Sequence, residues 1–177
     1  MPAGETIRSM FAQGDRRSIG RVQEVVDLVT RKPNQANSVF KCRWDEDACV
    51  RMRAADALEK LSRERPLFLE PYRRQLLGLL AETNQKEMRW HLALMVPRLQ
   101  LTGSECRRAA DLLMSYLEDK SSIVKTFAMQ GLAELTQQCS GLRPVVLDLL
   151  RSCSRTGTPA MRARGRILLR RMEQEQA

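Results

Sequence analysis

The chain has 177 residues, 43% hydrophobic, 5% aromatic and 29% charged, which is enough for one domain with a substantial core, and no apolar run approaches the roughly 18 residues that a bilayer span needs. Its net charge of +9 is uneven: residues 1–81 carry 15 bases and 11 acids, residues 82–140 carry 7 and 7, and residues 141–177 carry 8 and 3. A surface built for nucleic acid more often runs its bases through the middle as well, so charge alone does not select that partner.

Residues 1–13 show no charged head followed by a long apolar stretch, so no secretory leader is expected. Residues 1–18 are expected to be a frayed, basic N-terminal segment. After Gly14-Asp15-Arg16-Arg17-Ser18, the residues Ile19, Val22, Val25, Val26 and Val29 form a helical stripe that Lys32-Pro33-Asn34 breaks. A short helix with Ala36, Val39 and Phe40 follows over about 35–43. Longer helices are then predicted over roughly 47–62, 66–82, 85–100, 104–118, 121–137, 143–153 and 159–174. Asp45, Asn84, Ser121 and Thr158 stand where N-caps are wanted, and Pro159 suits a first helical position. Pro97 should kink or shorten its helix near Ala93. Gly131 and Gly165 lie inside predicted helices, where each costs about 1 kcal/mol against alanine, and both imply close approach of a neighbouring helix.

Four of these helices share one pattern. It starts at Val50-Arg51, Met88-Arg89, Val124-Lys125 and Met161-Arg162, with steps of 38, 36 and 37 residues. Apolar or small residues follow four, eight and eleven positions on: Val50/Ala54/Leu58/Leu61, Met88/Leu92/Val96/Leu99, Val124/Ala128/Leu132/Leu135 and Met161/Gly165/Leu169/Met172. At about 100° per residue each set falls within about 80° of arc, a single stripe. Self-similarity at such a period means stacked repeats. These are second helices, each preceded by a first helix, and short connections make neighbours antiparallel.

The arrangement resembles the HEAT-repeat family over about 19–174, most clearly in Asp47–Leu61 (DACVRMRAADALEKL) and Ser122–Leu135 (SIVKTFAMQGLAEL). The resemblance implies one all-α domain over 19–174, a right-handed α-solenoid of antiparallel helix pairs with about eight or nine helices. HEAT repeats carry an acid before the second helix and a base near its start, and these form a ladder between units. Here the bases are Arg51, Arg89, Lys125 and Arg162, and the position six earlier holds Asp45, Thr83, Asp119 and Thr156. Two acids are therefore replaced by threonine, and the bases read as scaffold rather than as a ligand site.

The helix face opposite the core stripe carries Met52, Asp56 and Glu59, then Trp90, Leu94 and Pro97, then Thr126, Gln130 and Ala133, then Ala163, Ile167 and Arg170. In the family geometry this face lines the concave surface. It is read either as a protein interface, which favours aromatic and methionine residues, or as packing against adjacent units. Beside it runs the more polar row of Arg53, His91, Phe127 and Arg164, with Lys60, Arg98, Glu134 and Arg171 one turn on.

The five cysteines, Cys42, Cys49, Cys106, Cys139 and Cys153, form no C-x-x-C pair and are expected to be free thiols in a reducing cytoplasm. His91 is the single histidine. No metal-ligand cluster, glycine-rich phosphate loop or nucleophile–base pair is legible, so no metal, cofactor or enzyme activity is expected. The expected function is a non-enzymatic scaffold in the cytoplasm. Its partner-binding residues would be Met52, Arg53, Trp90, His91, Leu94, Arg98, Phe127, Gln130 and Arg164, presented to a protein or acidic peptide. The alternative is a nucleic-acid-binding protein. Some HEAT-like solenoids, the alkylpurine DNA glycosylases, grip DNA on a basic concave surface with tryptophans and an aspartate, although no such catalytic set matches here position by position.

Overall fold

A computed structural model describes residues 5–15 and 18–175. The expected fraying of residues 1–4, 16–17 and 176–177 lies outside the described residues. The rest is all-helical: ten α-helices and no strand among the described residues. The chain divides into two compact units, Met1–Leu69 and Glu70–Ala177.

The first unit holds α1 (Ile7–Ala12), α2 (Val22–Arg31), α3 (Ala36–Lys41) and α4 (Ala48–Glu64), with single 3-10 turns at Pro33–Gln35 and Cys42–Trp44. Helix α4 is central and packs against the other three. The segment expected to fray contains α1, whose Ile7, Met10 and Phe11 are buried and whose N-terminus carries a capping box between Thr6 and Ser9. Three apolar residues on one face suffice to dock this short helix on the core. Ile19 is not part of the α2 stripe; it lies exposed in the turn before the helix, and Val22, Val25, Val26, Leu28 and Val29 carry the buried face.

A 3-10 stretch, Pro66–Tyr72, leads to the second unit, which holds α5 (Arg73–Glu82), α6 (Lys86–Met95), α7 (Gly103–Tyr116), α8 (Ser122–Leu135), α9 (Arg143–Thr156) and α10 (Pro159–Gln174). Helix α8 is its hub, packed against α6, α7, α9 and α10, while α5 packs on α6 and α7, and α9 on α10. The four core stripes are buried at every position except Leu169, which is half-buried. Proline 97 ends α6 at Met95 and converts Val96–Arg98 to a 3-10 turn, because proline has no N–H to donate to the Ala93 carbonyl. That carbonyl faces Gly131 of α8, where a Cβ would lie well inside van der Waals contact with its oxygen. Gly165 of α10 faces α9: a Cβ there would come within 2.6 Å of the Ser154 hydroxyl and 3.5 Å of the Leu150 carbonyl.

Capping follows the expected chemistry with two shifts of position. Ser121 and Thr158 cap α8 and α10 through backbone N–H groups of Val124 and Met161. Asp47, not Asp45, caps α4, and α6 starts at Gln85 without a side-chain cap rather than at Asn84. The cysteine expectation is corrected: Cys106 at the start of α7 and Cys139 after α8 form a disulfide, with Cα atoms 6.7 Å apart, because packing of α7 on α8 brings them within bridging range. Cys42, Cys49 and Cys153 are free.

Candidate partner-binding surface

Three of the four recurring bases, Arg51, Arg89 and Arg162, are spent on the scaffold. The Arg51 guanidinium donates to the Asp45 and Glu46 carbonyls at 2.6 and 2.9 Å. Arg162 donates to the Gly157 carbonyl at 2.8 Å. Arg89 does most: it donates to the Thr83 carbonyl at 2.9 Å, the Asn84 amide oxygen at 3.0 Å and the Asp119 carboxylate at 2.6 Å. Its guanidinium also lies 5.0 Å from the centre of the Tyr116 ring. A base at the start of a second helix thus ties down the carbonyls of the loop leading into that helix.

At three of the four sites the position six before the base accepts from the backbone two residues on, whether it is acid or threonine, while the Thr156 hydroxyl donates instead to the Ser152 carbonyl at 3.1 Å. Asp45 takes the Asp47 N–H at 3.0 Å, Asp119 the Ser121 N–H at 2.7 Å, and Thr83 the Gln85 N–H at 3.4 Å. Short polar side chains make such turns regardless of charge, so replacing two acids by threonine leaves the turn intact at Thr83. Partial burial works against the charge of Asp119, but the Ser121 N–H and Arg89 hold its carboxyl below the ordinary range. Burial pushes the Tyr116 phenol up to about 12, and its hydroxyl donates to the Leu80 carbonyl at 2.7 Å. An open groove of about 740 Å³ lies over these loops, lined by Asn84, Lys86, Arg89, Glu118, Asp119, Lys120 and Ser121. Its two deepest charges, Arg89 and Asp119, neutralise each other.

Three of the expected binding residues are buried, and these expectations are corrected. Arg53 is 1% exposed. It donates to the carbonyls of Phe11, Gln13, Asp15 and Ser18, holding the α1–α2 connection. A long base on the central helix reached a cluster of carbonyls that lacked helical partners, which periodicity does not reveal. Leu94 is 7% and His91 9% exposed, and the His91 ring meets Trp90 edge-on at 5.5 Å between centroids. Helix α6 is packed on more than one side, so positions opposite its core stripe are covered too. The same holds for Pro97, Thr126 and Ala133, all buried.

Met52, Trp90, Arg98, Phe127, Gln130 and Arg164 remain half-buried and reachable. Met52 belongs to the first unit; the other five belong to the second. Gln130 donates to the Glu134 carboxylate at 2.8 Å. On α10 the matching residue, Ile167, is 55% exposed. Within the first unit Asp56 is paired with Lys60 at 3.1 Å. Sequence reasoning missed one aromatic feature: the Arg43 guanidinium stacks on Phe40 and Trp44, 3.2 and 3.0 Å from their ring centres, while Trp44 is 58% exposed. The local run Phe40-x-x-Arg43-Trp44 was its only trace.

Among the described residues no cluster of histidine, cysteine or acid can hold a metal ion, and no helix is long and apolar enough to cross a membrane. In comparisons with known proteins, no family model and no curated sequence matches this chain.

Proposed function

We propose that this chain is a HEAT-like right-handed α-solenoid of antiparallel helix pairs that works as a non-enzymatic binding module for an acidic protein segment. Support for the solenoid comes from the shared register: four helices bury the same stripe, α6 packs on α8 and α8 on α10, and the base at three of the four starts serves its own entry loop. In such stacks each unit buries its neighbour's face, and the inner helices line the binding surface.

The binding groove is formed in the second unit by Trp90 of α6, Phe127 and Gln130 of α8, and Arg164 and Ile167 of α10, with Arg98 and Arg171 at the rim. The observation that carries this reading is Ile167. Its counterpart Leu94 is 7% exposed, whereas Ile167 is 55% exposed, between Arg164 and Arg171, two turns apart on the adjacent row. A large apolar residue left open among bases suits an apolar anchor on an acidic chain. Fold likeness alone does not select a function, so the groove residues bear the weight.

The test is selection of binding peptides from a random display library, followed by fluorescence anisotropy of the enriched sequences. Acidic peptides with one or two large apolar residues are expected. Ile167→Asp and Phe127→Asp should each weaken them at least about tenfold, about 1.4 kcal/mol, with unchanged circular dichroism. Failure to enrich acidic peptides, or equal affinity for the variants, overturns the reading.

A further inference from the structure

We propose that a second face of α10, carried by Arg166 and Arg170, is a docking strip for the phosphate backbone of a nucleic-acid duplex. The face is defined by comparison with α8. There the row Thr126, Met129, Ala133 and Thr136 is uncharged and buried, at 7%, 0%, 0% and 5% exposure. The equivalent row on α10 is Ala163, Arg166, Arg170 and Glu173, and all four are exposed. This row lies across the helix from the packed sides of α10: Gly165 meets α9, and Leu168, in the position of Gly131, is buried at 3%.

A helix that merely finishes a stack in water needs polar residues of mixed sign. Helix α10 instead carries Arg162, Arg164, Arg166, Arg170 and Arg171 against one acid, Glu173. Arg166 and Arg170 make no ion pair with any described carboxylate. Arg166 and Arg170 stand four residues apart, about 6 Å along the helix axis. Arginine forks match phosphate oxygens. No aromatic side chain stands on this row, so nothing there stacks an unpaired base. That favours a duplex gripped by its backbone, without sequence preference. The strip borders the proposed peptide groove at Arg170, which stands three residues from Ile167, while Arg166 lies further round the same helix, about 100° from Ile167.

The experiment is anisotropy of a labelled DNA duplex of about 20 base pairs, with an RNA duplex alongside, titrated with the full chain across a salt series. With two phosphate contacts, log affinity against log salt should fall with a slope of about −1.8. Arg166→Glu with Arg170→Glu should weaken binding at least about tenfold and flatten that slope by about 1.8. Arg107→Glu with Arg108→Glu makes the same change of net charge on exposed residues of α7 and should leave both values nearly unchanged. Melting curves confirm that both variants fold. The proposal is overturned by no saturable duplex binding at low salt, by equal losses in the two double variants, or by tighter binding of polyglutamate than of duplex. Peptides selected on the Ile167 groove should bind a single Arg166→Glu variant unchanged while duplex binding by that variant falls, which keeps the two proposals distinguishable.

Discussion

Gly131 and Gly165 both lie inside second helices, three register positions apart, and face different obstacles. At Gly131 the obstacle is the Ala93 backbone carbonyl, with the Leu113 side chain at 3.1 Å. A carbonyl anchored in α6 cannot swing away, so Gly131→Ala should destabilise by about 2 kcal/mol or more despite alanine's better helix propensity. At Gly165 the nearest atom is the Ser154 hydroxyl, which rotates at the cost of its 2.7 Å bond to the Leu150 carbonyl. Gly165→Ala should therefore change stability by less than about 1 kcal/mol. Urea titration of both variants, followed by circular dichroism, checks the contrast. The glycines and their purpose were legible in the sequence, because glycine inside a periodic stripe has few other uses. Which atom each one meets was not, because that depends on how far neighbouring helices slide.

At the scale of elements, the α1–α2 connection is held by a side chain from α4. Residues 13–21 include two glycines at positive φ, Gly14 at 90° and Gly20 at 55°, and the carbonyls around them turn inward to the Arg53 guanidinium. Charged donors to buried carbonyls contribute about 1.5–3 kcal/mol each when their loss leaves a group unsatisfied. Arg53→Met should cost about 3 kcal/mol or more and expose this connection to limited proteolysis before the rest of the chain. Unchanged protection of residues 13–21 would contradict that role. Sequence reasoning placed Arg53 on a helix shoulder and read it as a rim charge. The register was right and the surroundings were not visible, since the acceptor carbonyls come from a loop with no periodic signature.

At the scale of the whole molecule, both units depend on carboxylates whose folded pKa is depressed. In the first unit the Arg8 guanidinium holds Asp45 low, at 2.7 Å. In the second, the Thr102 N–H and hydroxyl hold Glu105 low, and Asp119 is held low by the Ser121 N–H and Arg89. A depressed folded pKa contributes stability that is fully present above the unfolded value of about 4 and is lost as pH falls through the folded value. The urea midpoint should therefore hold from neutral pH down to about 5 and drop steeply below about 4. Asp119→Asn should start lower at neutral pH and show a shallower acid loss, measurable as urea midpoint against pH.

The helices from α2 onward, the four core stripes, the shortening of α6 at Pro97 and the scaffold role of Arg51, Arg89 and Arg162 were set by local periodicity and propensity, which act within one or two turns of chain, whereas α1 was not legible. What covers each helix was decided only in the folded chain. Leu94, His91 and Arg53 became interior, Ile167 and Arg166 stayed in water, and Cys106 met Cys139 across two helices. Burial opposite a core stripe depends on whether another element follows in space, and that is a property of packing between elements rather than of any single one.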